Sequence, residues 1–234
     1  MDPAVATSAL TKSFRGVAAL REVDLAVLPG ELCGVVGADG AGKTTLLRCV
    51  AGLYRPDTGR VVPGRRGRSQ VGFCPQGFHM YPDLTVAENV AFFATAYGLD
   101  VPTRRARGEE LLEFAGLATH RDRLAGELSG GMQQKLTLVC SVLHRPPILL
   151  LDEPTTGVDP ISRRDFWRLI EELHTAGTTI VLASSYFDEV ERCQHVLFLH
   201  EGRVVADGSV DDLVGESQSL EAAFRTRLRE ERVT

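Results

Sequence analysis

Residues 31–50 read ELCGVVGADGAGKTTLLRCV, and this stretch decides the fold. Leu32, Val35 and Val36 form a short apolar run that predicts a buried parallel strand. A loop carrying Gly37, Gly40 and Gly42 follows, and Lys43, Thr44 and Thr45 open an amphipathic helix. Strand, glycine loop and helix with the spacing GxxxxGK and then Ser or Thr make a phosphate-binding loop, with Asp39 and Ala41 at two of the variable positions. Glycines let backbone N–H groups turn inward around phosphate oxygens, in conformations a side chain obstructs. The helix N-terminus adds partial positive charge. Lys43 is expected to reach the β- and γ-phosphates and the Thr44 hydroxyl to hold Mg²⁺. A glycine turn before an ordinary helix is the alternative, and the complete spacing argues against it. The expected ligand is a nucleoside triphosphate.

The 234 residues suit one large domain, or a domain with an inserted lobe. A net charge of −5 argues against a general nucleic-acid binder. No apolar run approaches a membrane span, and the first residues, MDPAVATSAL, do not read as a signal peptide. Cys33, Cys49, Cys74, Cys140 and Cys193 are scattered and form no CxxC pair, so buried, reduced thiols are expected and no metal site is indicated.

Upstream of the loop, residues 9–14 and 20–28 predict two strands, the second broken by Pro29 and Gly30. Such a hairpin suits a small antiparallel sheet against the nucleotide site. Phe14 is either an aromatic platform for adenine or a half-buried strand residue. Downstream, residues 60–62 and 71–74 predict further strands. Gln76 stands just beyond the second, where an amide can reach a phosphate or a metal-bound water. The basic stretch 64–68 is read as a solvated loop, with contact to an anionic partner as the alternative.

Residues 82–145 carry a helical pattern. Thr85 and Glu88 form a capping box ahead of Val86, Val90, Phe93 and Tyr97, and residues 103–115 predict a second helix. Ser129 then N-caps a third helix, and Gly130 and Gly131 leave its first N–H groups uncovered, a second anion site on a separate lobe. Residues 148–151 predict a buried strand that delivers Asp152 and Glu153. Asp152 is placed to hold Mg²⁺ through water and Glu153 to polarise an attacking water. A turn through Asp159 leads to a helix over 161–174 with Trp167 on its apolar face. A strand over 178–183, a hairpin over 195–206 and a charged helix over 219–232 complete the pattern.

The ordered set GADGAGKTT, PQ, LSGGM, LLLDEP and GVD resembles the nucleotide-binding cassette of the ABC transporter superfamily. The resemblance covers almost the whole chain. It implies an α/β phosphate-loop ATPase core with a parallel sheet, a small antiparallel β-subdomain and an inserted helical subdomain. The core is expected over 1–81 and 146–217, the helical lobe over 82–145 and a C-terminal helix over 218–234. It also implies residue roles. Residues 37–45 are the phosphate loop, Phe14 the adenine-stacking position and Gln76 the Q-loop glutamine. Residues 128–132, with Ser129, Gly130 and Gly131, are the signature. Asp152 is the Walker B aspartate, Glu153 the catalytic glutamate and Asp159 the D-loop aspartate. In the superfamily two cassettes pack head to tail, each signature covering the nucleotide of the other. ATP, Mg²⁺, a second cassette and a separate transmembrane permease are therefore implied, at the cytoplasmic face of a membrane.

The stretches YPDLTVAENVAFFATAYGL, GVDPISRRDFW, YFDEVERC and LEAAF are similar to drug- and antibiotic-efflux cassettes, above all the first cassette of exporters with two cassettes in one polypeptide. The family usually carries a histidine before the Tyr-x-Asp-Glu stretch, where it contacts the γ-phosphate; here the residue is Ser185. A serine hydroxyl is short and neutral, so slow turnover at this site is expected. His79, His120, His144, His174, His195 and His200 are read as surface or capping residues, and the arginines of 103–107 and 225–232 as solvated helix faces. A permease-free ABC ATPase of the ribosome-associated type, and a mainly regulatory ATP-binding cassette, are the alternatives.

Overall fold

The computed structural model describes residues 1–64 and 70–231. The chain opens with the hairpin β1 (Val5–Phe14) and β2 (Val17–Val27), then runs through β3 (Leu32–Val36) into α1 (Lys43–Val50). β4 (Thr58–Val62) and β5 (Val71–Cys74) precede three helices, α2 (Val86–Ala96), α3 (Val101–Phe114) and α4 (Gly130–Val142). Next come β6 (Ile148–Asp152), α5 (Pro160–Thr175), β7 (Thr179–Ser184) and the single turn α6 (Phe187–Val190). β8 (His195–His200), β9 (Arg203–Ser209), α7 (Val210–Val214) and α8 (Leu220–Glu231) end the fold.

Two sheets result. β2, β1 and β4 form an antiparallel sheet in that order, and a six-stranded sheet runs β5-β6-β7-β3-β8-β9. All of its pairs are parallel except β8 with β9. β3, β6 and β7 are buried at every position, as parallel strands covered on both faces must be.

The period-two alternation of these strands builds two cores. Cys33, Val35, Leu150, Val181 and Leu197 point to one face and pack with Leu46 and Leu47 of α1 and with Leu10, Leu20 and Val23 of the antiparallel sheet. Leu32, Val36, Leu149, Leu151, Leu182 and Phe198 point to the other, against Leu136, Leu138, Trp167, Ile170 and Phe224 of the long helices. The phosphate-loop helix is thus held between the two sheets.

Where elements differ from the sequence expectation, a local cause is visible. β1 begins at Val5 because Ala9, at φ 45°, bulges the strand and breaks its periodicity, its N–H bonding Asp24 Oδ1 at 2.7 Å. β9 continues to Ser209, and α7 forms behind a Ser209 cap that accepts from Asp212 N. Two arginines are not solvated. Arg107 is mostly buried, with Nη1 donating to Glu110 at 2.6 Å, and Arg227 Nη1 donates to the Leu213 carbonyl at 2.9 Å. The basic residues Arg65, Arg66 and Arg68, and Arg232, lie outside the described residues.

Candidate active site

Neighbouring strands of the large sheet end side by side and deliver the site. In the order β5-β6-β7-β3, their C-terminal ends carry Gln76, Asp152 with Glu153, Ser185 and the phosphate loop. This crevice outside the carboxyl ends of parallel strands is where open α/β sheets bind ligands. Gly42, the residue before α1, sits at φ 110°, a conformation that side chains resist. No side chain caps α1, which leaves its first N–H groups to an anion.

Lys43 is only 4% exposed. Its Nζ donates to the carbonyls of Gly37 (2.8 Å) and Ala38 (3.2 Å) and to Ser185 Oγ (2.9 Å), and lies 3.2 Å from Glu153 Oε1. Glu153 occupies a left-handed conformation, φ 46°, that lifts its carboxylate off the strand end. Its Oε2 accepts from Gln76 Nε2 at 3.3 Å and from Thr156 Oγ1 at 3.1 Å. Ser185 Oγ stands 2.9 Å from Glu153 Oε1 and 3.1 Å from Asp39 Oδ1, and its one proton serves one of them at a time.

Thr44 Oγ1 donates to Asp152 Oδ1 at 2.9 Å. The other oxygen of Asp152, Oδ2, is buried with no hydrogen-bond partner. Burial raises the Asp152 pKa, and the bond from Thr44 opposes it. A divalent cation beside Thr44 and Asp152 gives the orphaned oxygen a partner, so these residues fit Mg²⁺. Among the described residues no cluster of three or more His, Cys, Asp or Glu is placed to cage a metal. That suits an ion that binds through one or two protein groups plus substrate phosphates.

A cleft of about 340 Å³ opens over the loop, lined by Asp39, Gly40, Ala41, Gly42, Lys43, Thr44, Thr45, Gln76 and Glu153. Ala19 and Thr156 also line it, and the sequence did not single them out. Ala19 enters because the antiparallel sheet leans over the loop; only its tertiary placement reveals it. Phe14 stands at the end of β1, 42% exposed and T-shaped against Tyr54 at 5.3 Å, outside the cleft lining.

Ser129, Gly130 and Gly131 lie on α4, away from this cleft. Ser129 Oγ accepts from Met132 N at 3.4 Å, and Ser129 and Gly130 face solvent. Gly131 is buried, and a Cβ there would collide with Ser162 of α5, so this glycine serves helix packing rather than an open helix end. Asp159 caps α5, accepting from Ile161 N (3.1 Å) and Ser162 N (3.0 Å); hydrogen bonding from the Ser162 side chain lowers its pKa most, and these backbone bonds add to the fall.

A second constellation escaped the sequence reading. Glu189, 1% exposed, accepts from Ser184 Oγ (2.6 Å), Arg163 Nε (2.9 Å), Trp167 Nε1 (3.4 Å) and Thr155 Oγ1. Its signal in the sequence is a glutamate in a short turn after an apolar strand, which propensity alone assigns to the surface. Two histidines also depart from the surface reading. His195 is enclosed by Asp207 and Glu31, and His144 is stacked on Tyr97 with ring centroids 4.0 Å apart.

The family described as ABC transporter matches residues 20–156, more than half of the chain. The chain belongs to the ABC transporter family. The match takes in the phosphate loop, Gln76, the signature and Glu153 of this cassette, while Phe14, Asp159 and Ser185 lie beyond it. Over 217 residues the cassette is 42% identical to the Escherichia coli (strain K12) protein named "Probable multidrug ABC transporter ATP-binding protein YbhF", covering 88% of this chain and 38% of that one. It is 42% identical over 197 residues to the Nod factor export ATP-binding protein I of Burkholderia thailandensis, covering 80% of this chain and 65% of that one. The chain thus spans a minor part of the first relative and about two thirds of the second. The dimeric post-hydrolysis structure of the ATP-binding cassette MJ0796, bound to ADP and Pi, superposes with a TM-score of 0.79 at 26% identity, over 88% of this chain and 98% of that one. No helix among the described residues is long and apolar enough to cross a membrane.

Proposed function

We propose that this cassette is the ATP-binding, ATP-hydrolysing subunit of an exporter, driving a separate membrane permease from the cytoplasmic face of the membrane. The observation that carries the reading is the convergence of Lys43, Thr44, Gln76 and Glu153 on one cleft, with Asp152 buried behind Thr44 and bonded to it. The name of one relative, the Nod factor export ATP-binding protein I, supports the direction of transport.

Lys43 and Glu153 form a nearly buried ion pair, which is favourable only while both partners stay together. A triphosphate on the loop offers Lys43 phosphate oxygens in exchange. Glu153 is then released, still oriented through Oε2 by Gln76 and Thr156, with Oε1 free to accept a proton from water. The water oxygen bonds to the γ-phosphorus as the bond to ADP breaks, and a placed base of this kind is worth ~10²–10⁴-fold in rate. Thr44 and Asp152 would hold Mg²⁺, which would supply charge neutralisation for the phosphate oxygens.

Ser129 and Gly130 are exposed and remote from the cassette's own loop. In this reading they cover nucleotide on a second cassette packed head to tail, and the dimeric state of the related MJ0796 supports the arrangement. The exposed pair Tyr81 and Phe92, T-shaped at 4.7 Å on the helical lobe beyond Gln76, suits the docking of the permease. Ser185 replaces a longer, ionisable group at the γ-phosphate, so this site turns over slowly. The same residue favours a second reading, a cassette that uses ATP mainly as a dimerisation clamp.

Steady-state hydrolysis by the purified chain over a range of protein concentrations, beside Glu153→Gln, tests the proposal. Turnover that rises with concentration and disappears in Glu153→Gln supports the motor. Tight ATP binding with no turnover in either protein supports the clamp, and no ATP binding at all defeats both.

A further inference from the structure

Asp39 belongs to a loop built to cradle phosphate, yet it brings a negative charge there. Two carboxylates, Asp39 and Glu153, line the cleft with a single ammonium, Lys43. Glu153 has its own donors in Gln76 and Thr156. Asp39 is exposed, and Ser185 is its one side-chain partner among the described residues. The position of Asp39 follows from that contact. Ser185 Oγ touches Lys43 Nζ at 2.9 Å and Asp39 Oδ1 at 3.1 Å, so the Asp39 carboxylate stands one hydroxyl away from the ammonium that receives the terminal phosphates.

A triphosphate drawn onto Lys43 therefore brings its γ-phosphate against Asp39. At such a separation, even near the protein surface, like charges repel strongly enough to change affinity about tenfold. A diphosphate ends further from Asp39 and feels less of this. A divalent cation on the β- and γ-phosphates lowers the charge that Asp39 meets. A backbone amide or a neutral side chain at this position makes no such demand.

Building on the ATP-cassette reading above, we propose that Asp39 is a specificity-determining residue of the cleft, positioned by Ser185, which makes triphosphate binding conditional on a divalent cation. Free triphosphate is selected against, and the cation-loaded form is admitted.

Titration of the full chain with fluorescently labelled ATP and ADP, in excess EDTA and in excess Mg²⁺, tests this through binding alone. The quantity compared is the ratio of the ATP dissociation constants without and with Mg²⁺. Asp39→Asn, which keeps the shape and removes the charge, is expected to lower that ratio about tenfold while changing the ADP ratio far less. Asp39→Glu retains the charge and is expected to keep the wild-type ratio. An unchanged ratio in Asp39→Asn, or an equal fall in Asp39→Glu, overturns the inference but leaves the ATP-cassette reading standing. A wild-type chain that binds neither nucleotide in either condition overturns both.

Discussion

Ser184 Oγ donates to Glu189 Oε2 at 2.6 Å, which ties the end of β7 to a carboxylate only 1% exposed. The other oxygen of Glu189 accepts from Arg163 and Trp167 of α5 and from Thr155 after β6. One buried charge therefore fixes three segments that flank the cleft, and Ser185 is the next residue after Ser184. Glu189→Gln removes the buried counter-charge of Arg163, leaves it the exposed Asp188 at 2.8 Å, and adds an amide donor among donors. Losing one member of such a pair costs about 3 kcal/mol, the lower part of the usual range because Arg163 is partly exposed. In a chain of this size that lowers the melting temperature by roughly 10 °C, read by differential scanning calorimetry.

Ser185→His introduces a side chain with the reach and charge that serine lacks. Lys43, Glu153 and Asp39 all lie within hydrogen-bond distance of Ser185 Oγ, so the position is central to the polar network of the site. A correctly placed donor at the transferring phosphate is worth tenfold or more in rate, on the order of 10²–10³ at best. ATP turnover of Ser185→His in the assembled complex is expected to rise by roughly tenfold over wild type. Unchanged turnover there means that Ser185 is not what limits the rate.

The phosphate loop, the Thr85–Glu88 capping box and the buried strands were legible because each rests on contacts near in sequence or on burial of both faces. Glu88 Oε2 accepts from Thr85 N at 2.8 Å and Thr85 Oγ1 accepts from Glu88 N at 3.2 Å, three positions apart. Leu149 through Leu151 need only be apolar to lie inside a parallel sheet. Ala19, Thr156 and Glu189 were not legible. Ala19 reaches the cleft because one sheet leans across another, and Glu189 looks like a surface glutamate until Arg163, 26 residues earlier, is folded against it. Gly131 was legible as a glycine but not in its reason, which depends on Ser162 of another helix.

His195 carries a pKa above the usual histidine value. The Asp207 carboxylate accepting its Nε2 hydrogen raises it most, burial opposes this, and Glu31, 3.5 Å from Nδ1, adds to the rise. The protonated ring therefore stabilises the fold fully below the unfolded value of about 6.5. That contribution is lost as pH rises through the elevated folded value. Urea midpoints of wild type and His195→Gln are expected to differ more at pH 6 than at pH 9, and the reverse order sinks the assignment.

All five cysteines are free and buried. Burial pushes Cys49 up to about 11 and Cys74 up to about 12, and raises Cys33, Cys140 and Cys193 as well. The thiolate is the reactive form, so these side chains are inert while folded. A disulfide reagent at pH 8 is expected to label almost none in the native chain and all five in denaturant. Rapid labelling of any one under native conditions contradicts the burial described.

Gly130 and Gly131 are adjacent in the signature and distinct in structure. Nothing lies within 4 Å of a Cβ built on Gly130, whereas one on Gly131 runs into the Ser162 side chain. Gly130→Ala is therefore expected to leave folding intact, and under the proposed head-to-tail pairing its defect is expected in the approach of nucleotide on a second cassette to the α4 N-terminus. Gly131→Ala must separate α4 from α5, a strain of about 1–3 kcal/mol. Thermal melts of the isolated chain are expected to show a loss in Gly131→Ala alone. Ser162→Gly, which removes the obstructing atoms, is expected to restore Gly131→Ala toward wild type, because the two positions share one contact and their effects do not add.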